Sequence, residues 1–311
     1  MHIVDFSPAH IAQAQSLALQ AYRAEQSHLP TLPQIDGVPD LRPFAQNGLG
    51  VAAMHDDRLL GFLCSVPLFP HAFRSTDAFG AFSPMGANAA IPADRPRIYA
   101  RLYQSAAEKW AAAGASSHAI CTYAHDTQTH AQLFQLGFGL RCLDAIRPTA
   151  SIEVPRCDGY SFAESSPSDA PHLLDLLHKL AAHMAQSPTF ILRPPITSLP
   201  SAQFFVAKHD ALPVALLQIE PQGETFIAGA PDYRHITGAF CLPAHRGNGI
   251  FLRLLNYAIN ALQSDAVARL GVDFESINPA ADHFWRKHFA PYTYGLVRRI
   301  DEHALRTAPP I

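Results

Sequence analysis

Ile236-Thr-Gly-Ala-Phe-Cys-Leu-Pro-Ala-His-Arg-Gly-Asn-Gly-Ile-Phe251 is the stretch on which the reading of this chain turns. Its opening, Ile236 to Leu242, is a largely apolar run of strand length, and Pro243 ends it. The turn Ala244-His245-Arg246-Gly247-Asn248-Gly249 follows, and Ile250 opens a helical pattern. A glycine turn feeding a helix start gathers unpaired N–H groups and the positive end of the helix dipole at one point. Glycine lets a phosphate approach that backbone closely. Arg246 adds a charged donor for phosphate oxygens. The turn lacks the Gly-Lys-Ser/Thr ending of a Walker loop. It also lacks the third glycine of a dinucleotide fingerprint, because Leu252 stands there. A tight strand-to-helix connection without a ligand has the same local appearance, so the flanks must decide.

Downstream, Phe251, Leu254, Leu255, Ala258 and Leu262 predict a buried helical stripe over 250–264. A strand follows over Arg269 to Glu275, and a short helix over Pro279 to His288, opened by Asn278. Working outward, the same plan is written twice. Ile3-Val4-Asp5-Phe6 and Tyr160-Ser161-Phe162-Ala163 are short strands, each followed by Ser-Pro (Ser7-Pro8, Ser166-Pro167) and a helix. Each half continues with a hairpin: Val51 to Met54 with Leu59 to Val66, and Phe204 to Ala207 with Pro213 to Ile219. Each then shows strand, long helix, strand, short helix and closing strand. In the first half the long helix is Asp94 to Ala113, the strand Ser117 to Tyr123 and the short helix Thr127 to Leu136. A repeat of roughly 150 residues indicates a duplicated domain, with the seam near Thr149 to Gly159.

With these elements in place, the chain resembles the GCN5-related N-acetyltransferase (GNAT) family. Against that family's cofactor motif, Arg/Gln-x-x-Gly-x-Gly/Ala after a strand, this chain offers Arg246-Gly247-Asn248-Gly249-Ile250-Phe251. Its later pattern of Asn, Ala and an aromatic-rich helix is met by Asn278, Ala281, Phe284, Trp285 and Phe289. Phe251 departs from the pattern, which prefers a small residue there. The resemblance covers the C-terminal half well and the N-terminal half through element order and Leu133-Phe134-Gln135-Leu136-Gly137-Phe138. It implies an α/β (α+β) chain of two tandem GNAT folds, each a mixed, mostly antiparallel sheet with a splayed central parallel pair flanked by helices. Residues 1–150 are expected to be a degenerate GNAT-like scaffold that shapes the acceptor pocket. Met85-Gly86-Ala87-Asn88-Ala89-Ala90 and Asp94-Arg95-Pro96-Arg97 replace the cofactor motif there. Residues 151–311 are expected to hold the acyl-CoA site.

The resemblance implies acyl transfer, with acetyl-CoA or another acyl-CoA as cosubstrate, directly to an amine. Phe240, Cys241 and Leu242 would offer backbone groups to the pantetheine and thioester. Arg246, Gly247, Asn248, Gly249 and Ile250 would hold the pyrophosphate, and Asn278 and Trp285 would complete the cofactor site. Transfer to an amine needs a neutral nucleophile, a donor to the oxyanion and a proton for the leaving thiolate. Glu275 is the first candidate for the base and Asp273 the fallback. An ion pair or solvated strand end is the alternative for Glu275. Trp285 stands where the family places a tyrosine acid, and indole supplies no proton at neutral pH. Tyr292, Tyr294 and His288 are the substitutes considered. His125-Asp126 could face the acceptor or simply form a capped turn, and His245 is expected to face solvent. A catalytically silent acyl-CoA sensor on the same fold is the competing function, favoured by Trp285 and Phe251.

Composition sets the limits. Of 311 residues, 48% are hydrophobic and 16% charged, with net charge -3, which excludes the basic footprint of a nucleic-acid binder. Five cysteines, odd in number and without a C-x-x-C pair, predict neither disulfides nor zinc, and no metal is expected. No membrane-length apolar run and no signal-peptide pattern occurs, so a cytoplasmic monomer or homodimer with a small-molecule amine or exposed amino group as acceptor is expected.

Overall fold

The computed structural model describes residues 1–75 and 78–307. The first part of the chain forms β1 (His2–Asp5), α1 (Ile11–His28), α2 (Arg42–Gln46), β2 (Val51–His55), β3 (Arg58–Leu63), β4 (Phe79–Ser83), β5 (Asn88–Ala90), α3 (Arg95–Ala112), β6 (Ala115–Tyr123), α4 (Thr127–Gln135) and β7 (Gly139–Pro148). The second forms β8 (Tyr160–Glu164), α5 (Ala170–Ala185), β9 (Gln203–His209), β10 (Leu212–Glu220), β11 (Tyr233–Cys241), α6 (Ile250–Ser264), β12 (Arg269–Glu275), α7 (Pro279–His288), β13 (Ala290–Arg299) and α8 (Glu302–Thr307). The Ser-Pro signals work as expected. Ser7 and Ser166 each close a capping box, with His10 and Asp169, ahead of α1 and α5.

The chain divides into two compact units, Met1–Leu143 with Pro291–Ile311, and Asp144–Ala290. In the first, β1, β2, β3 and β5 form an antiparallel sheet. β4 runs parallel to β6, which pairs on its other edge with β13 in antiparallel register, Thr293 opposite Tyr123 through Arg299 opposite Ser117. The closing strand read at the end of the second half is therefore built into the first unit. Hydrophobic pattern marks β13 as a strand, but pairing is a non-local choice that the pattern does not encode. The core between α3 and these strands centres on Leu102, Tyr103, Trp110, Ile120, Leu133 and Leu296.

In the second unit β8, β9, β10 and β11 are successive antiparallel neighbours and β12 lies parallel to β11. The parallel register runs from Tyr233 opposite Arg269 to Ile236 opposite Val272 and stops there. Past a bulge opposite Gln218/Ile219, β11 continues along β10 to Cys241. A bulge bends its strand and sharpens the local twist, so the ends of β11 and β12 part. The first unit repeats the device in pieces: β4 holds the parallel pairing, and β5 carries the antiparallel pairing to β3. On α6 the buried stripe is Ile250, Leu254, Leu255, Ala258, Ile259 and Leu262. Phe251, expected in that stripe, is instead half-buried against Phe284 and Trp285 of α7, with ring centroids 5.1 and 6.0 Å away. No helix among the described residues is long and apolar enough to cross a membrane.

Candidate active site

The site begins where β11 leaves β12. From Thr237 onward the edge of β11 that faced β12 has lost its ladder, so backbone groups there are open to an extended ligand. The strand ends at Cys241, and a single 3-10 turn, Pro243–His245, leads to the glycine loop. Gly247 and Gly249 both adopt left-handed backbone, φ +86° and +75°. Gly249 is the N-cap of α6, whose first intrahelical bond runs from Arg253 N to Gly249 O (3.0 Å). The N–H groups before Arg253 are thus left at the head of a four-turn helix. A Cβ on Gly249 would lie 2.4 Å from Cγ of Pro155, so glycine is required there by conformation and by contact.

Pro155 belongs to a strap over 149–157 that runs along α6. Thr149 Oγ1 donates to Val267 O (2.6 Å), Ile152 N to Asn256 Oδ1 (2.7 Å), and Arg253 Nη1 to Pro155 O (3.2 Å). The strap ends against the loop, where Cys157 Sγ lies 3.3 Å from Asn248 O.

Around this helix start opens a cavity of about 470 Å³. Of the expected cofactor contacts, Phe240, Cys241, Arg246, Gly247, Gly249, Ile250, Asn278 and Trp285 line it. Leu242 and Asn248 do not: Leu242 packs on the apolar core beside Leu216 and donates its N–H to Val214 O (2.9 Å), while Asn248 is exposed. Phe251 lines the cavity as an aromatic wall with Phe284 and Trp285. His183 and His283 also line it. His183 sits on a helix with no motif around it, and His283 falls at a variable place within the Asn278 to Phe289 pattern. His245, expected in solvent, is half-buried at the cavity wall and bonded through Nδ1 to the Tyr160 hydroxyl (2.8 Å).

The chemistry of these side chains follows from their surroundings. Arg246 donates from Nε to Cys241 O (2.9 Å) and lies over the Phe240 ring. Burial pushes the Cys241 thiol up to about 11, with Arg246 acting in the opposite sense. It is therefore a protonated thiol at neutral pH, a poor nucleophile. Burial, and then Arg246, lower His183, keeping that imidazole neutral. Asn278 caps α7, its side chain accepting from Ala281 N (3.4 Å), so the capping reading holds for this residue.

A second, smaller cavity of about 90 Å³ opens between the parted strands. Glu275 and Asp273, the two candidate bases, both line it, together with Thr237 and Arg193. It shares Ala239, Asn278 and Trp285 with the larger cavity, so the two meet at the splay. Tyr292 and Tyr294 are not among the residues lining either cavity. Both lie on β13 in the first unit, Tyr292 fully buried and Tyr294 stacked on His130 at 4.7 Å. Asp126 caps α4 through Thr129 N and pairs with Arg95 (3.2 Å), and His125 contacts the buried Glu25. That pair is a capped turn, as its simpler reading has it. The equivalent splay of the first unit is filled. Asn88 donates to Ser83 Oγ (2.9 Å) and Cys121 O (3.1 Å) and accepts from Tyr99 (2.7 Å), leaving a space of about 20 Å³.

A splayed parallel pair, one strand feeding a glycine-capped helix, defines a particular α/β unit, and known proteins share it. Residues 171–290 match the model of the Acetyltransferase (GNAT) family and form a GNAT domain. A GCN5-related N-acetyltransferase from Sphaerobacter thermophilus superposes with a TM-score of 0.54 at 14% identity, over 96% of this chain and 95% of that one. A GCN5-related glucosamine N-acetyltransferase region of a fungal multi-domain GH3 beta-N-acetylglucosaminidase does so with a TM-score of 0.50 at 12% identity, over 95% of this chain and 38% of that one. The fold is thus of the GNAT kind across the chain. No curated protein matches the sequence.

Proposed function

We propose that the second unit transfers an acetyl or other acyl group from CoA directly to an amine. The observation that carries this reading is the α6 head, with its left-handed Gly249, opening into a cavity that meets a carboxylate-lined cavity at the parted strands. The pyrophosphate would sit on the N–H groups of 249–252 and beside Arg246, a charge-matched seat for an anion. The pantetheine would run along the open edge of β11, bringing the thioester to Ala239 and Phe240. The incoming ammonium loses a proton to Glu275 or Asp273. Its nitrogen then attacks the thioester carbonyl, the C–S bond breaks, and the CoA thiolate takes up a proton from solvent or the acceptor. Cys241 holds its own proton and forms no acyl intermediate. Thiol release from acetyl-CoA across an amine panel tests the reading: release that depends on an amine supports it, and none with any amine counts against it.

A second reading, an acyl-CoA sensor without turnover, draws on Trp285 in place of a tyrosine acid and on Tyr292 and Tyr294 lying in the first unit. It differs in binding acetyl-CoA while releasing no thiol in the presence of any acceptor. A soluble amine rather than nucleic acid as partner, and work without a metal, complete the proposal.

A further inference from the structure

The smaller cavity carries charges of both signs, and the cofactor needs neither. Arg193 reaches it from the loop between α5 and β9, and Asp273 and Glu275 from the end of β12. Nε of Arg193 is shut off from solvent and has no hydrogen-bond partner among the described residues. A buried donor in that state is costly until an acceptor arrives, and an anionic acceptor suits it best. The carboxylate side has the opposite need. Nε2 of the buried His235 meets Asp273 Oδ1 at 2.8 Å, and its Nδ1 meets the Tyr233 hydroxyl at 2.7 Å. Gly223 and Gly271 make room for this pair: a Cβ on either would come within 3.0 Å of His235 Nδ1. Asp273 is thus fixed through one oxygen, leaving Oδ2 for another donor.

Glu224 feels the same carboxylates as a secondary influence. The residue as a whole is exposed, yet its carboxyl is pushed up to about 7, first by burial, then by Asp273, Asp144 and Glu275, with His235 acting in the opposite sense. A cation placed beside Asp273 and Glu275 is attracted by both carboxylates, which line the same cavity. A space of about 90 Å³ admits only a small head group, so the anion for Arg193 and the cation for the carboxylates belong to one compact molecule.

We propose that the acceptor is a small zwitterionic amine, an α-amino acid or a molecule bearing that head group, with its carboxylate on Arg193 and its ammonium at Asp273 and Glu275. This rests on the acyltransferase reading for the reaction but not for the binding. A plain diamine would satisfy the carboxylates and leave Arg193 facing a cation.

Calorimetry on the full chain tests it. Free α-amino acids, their methyl esters, plain diamines and the matching acids without the amine are titrated into protein saturated with CoA, and in parallel into cofactor-free protein. At least one free amino acid should saturate a single site, with its ester and its amine-free acid weaker by roughly tenfold or more. Arg193→Gln should weaken the amino acid by a similar factor and leave the ester unchanged, while Arg193→Lys restores part of the loss. The proposal is overturned if no amino acid saturates in either state, if esters or diamines bind as tightly, or if Arg193→Gln binds like the unaltered protein. Failure of CoA itself to bind overturns the acyltransferase reading instead, and the cofactor-free titrations still read Arg193.

Discussion

Gly247 and Gly249 sit two residues apart in the same loop, share left-handed backbone and differ in one respect, which makes them a matched pair. A Cβ on Gly247 meets nothing within 4 Å among the described residues, whereas one on Gly249 lies 2.4 Å from Pro155 Cγ. Alanine at either position carries the left-handed penalty of about 1–2 kcal/mol. At Gly249 the methyl must also push back a proline ring whose strap is tied to α6 through Asn256 and Arg253. The contact has to open by more than 1 Å to reach ordinary carbon–carbon distance, and overpacking of this kind costs about 1–2 kcal/mol where the neighbour is exposed. Gly247→Ala should therefore lose about 1–2 kcal/mol of unfolding free energy and Gly249→Ala about 2–4 kcal/mol. Because the displaced strap or rotated loop re-aims the α6 amides, acetyl-CoA affinity should fall by about tenfold or more in Gly249→Ala. Urea unfolding and acetyl-CoA calorimetry read the two effects. Pro155→Ala removes the offending ring atoms, so the double variant should recover the steric part, a coupling of about 1–2 kcal/mol. Equal destabilisation at the two glycines, or additivity with Pro155→Ala, would refute the reasoning.

Three further outcomes are expected. Cys241→Ala should retain amine-dependent thiol release, and intact-mass analysis of the unaltered protein after acetyl-CoA should find no acetyl thioester at Cys241, since that thiol stays protonated to about 11. The Glu224 carboxyl, raised to about 7, remains protonated in the folded chain where the unfolded chain has already ionised. The folded state thus binds more protons in that interval, and stability falls as pH rises from the ordinary carboxylate range through about 7. The drop in urea midpoint between pH 5 and pH 8 should shrink in Glu224→Gln; an unchanged drop would remove Glu224 from the account. Tyr294→Phe should leave turnover unaltered, because Tyr294 stacks on His130 in the first unit; a large fall in kcat would restore it as an acid.

Much of this architecture was legible because its signals are local. The helix over 250–264, the strand over 269–275 and the helix over 279–288 are found at those bounds, since caps, prolines and apolar periodicity all act within a few residues. What the sequence hides is pairing. Nothing in Ala290–Arg299 says that it lies beside β6, and nothing near Gln218 announces the bulge that parts β11 from β12. The residues proposed for the cofactor come from one contiguous motif, and of these Leu242, which packs on the core, and Asn248, exposed in the loop, do not line the larger cavity. The residues of the smaller cavity come from separate elements. Glu275 and Asp273 stood out as carboxylates at a strand end, but Arg193 comes from a proline-rich loop without periodicity. His235 meets Asp273 only because parallel register brings the two strands side by side. Phe251, which departs from the family's small residue, proves to be part of an aromatic wall with Phe284 and Trp285 rather than a core residue.

The central claim is that the head of α6 holds the pyrophosphate of an acyl-CoA, and acetyl-CoA calorimetry on the full chain tests it most directly. One saturable site per chain is predicted, abolished in Gly249→Glu, where a bulky anion replaces the N-cap glycine, and unaffected by Asn88→Ala in the filled splay of the first unit. No heat at millimolar acetyl-CoA, or binding that survives Gly249→Glu unchanged, would contradict it.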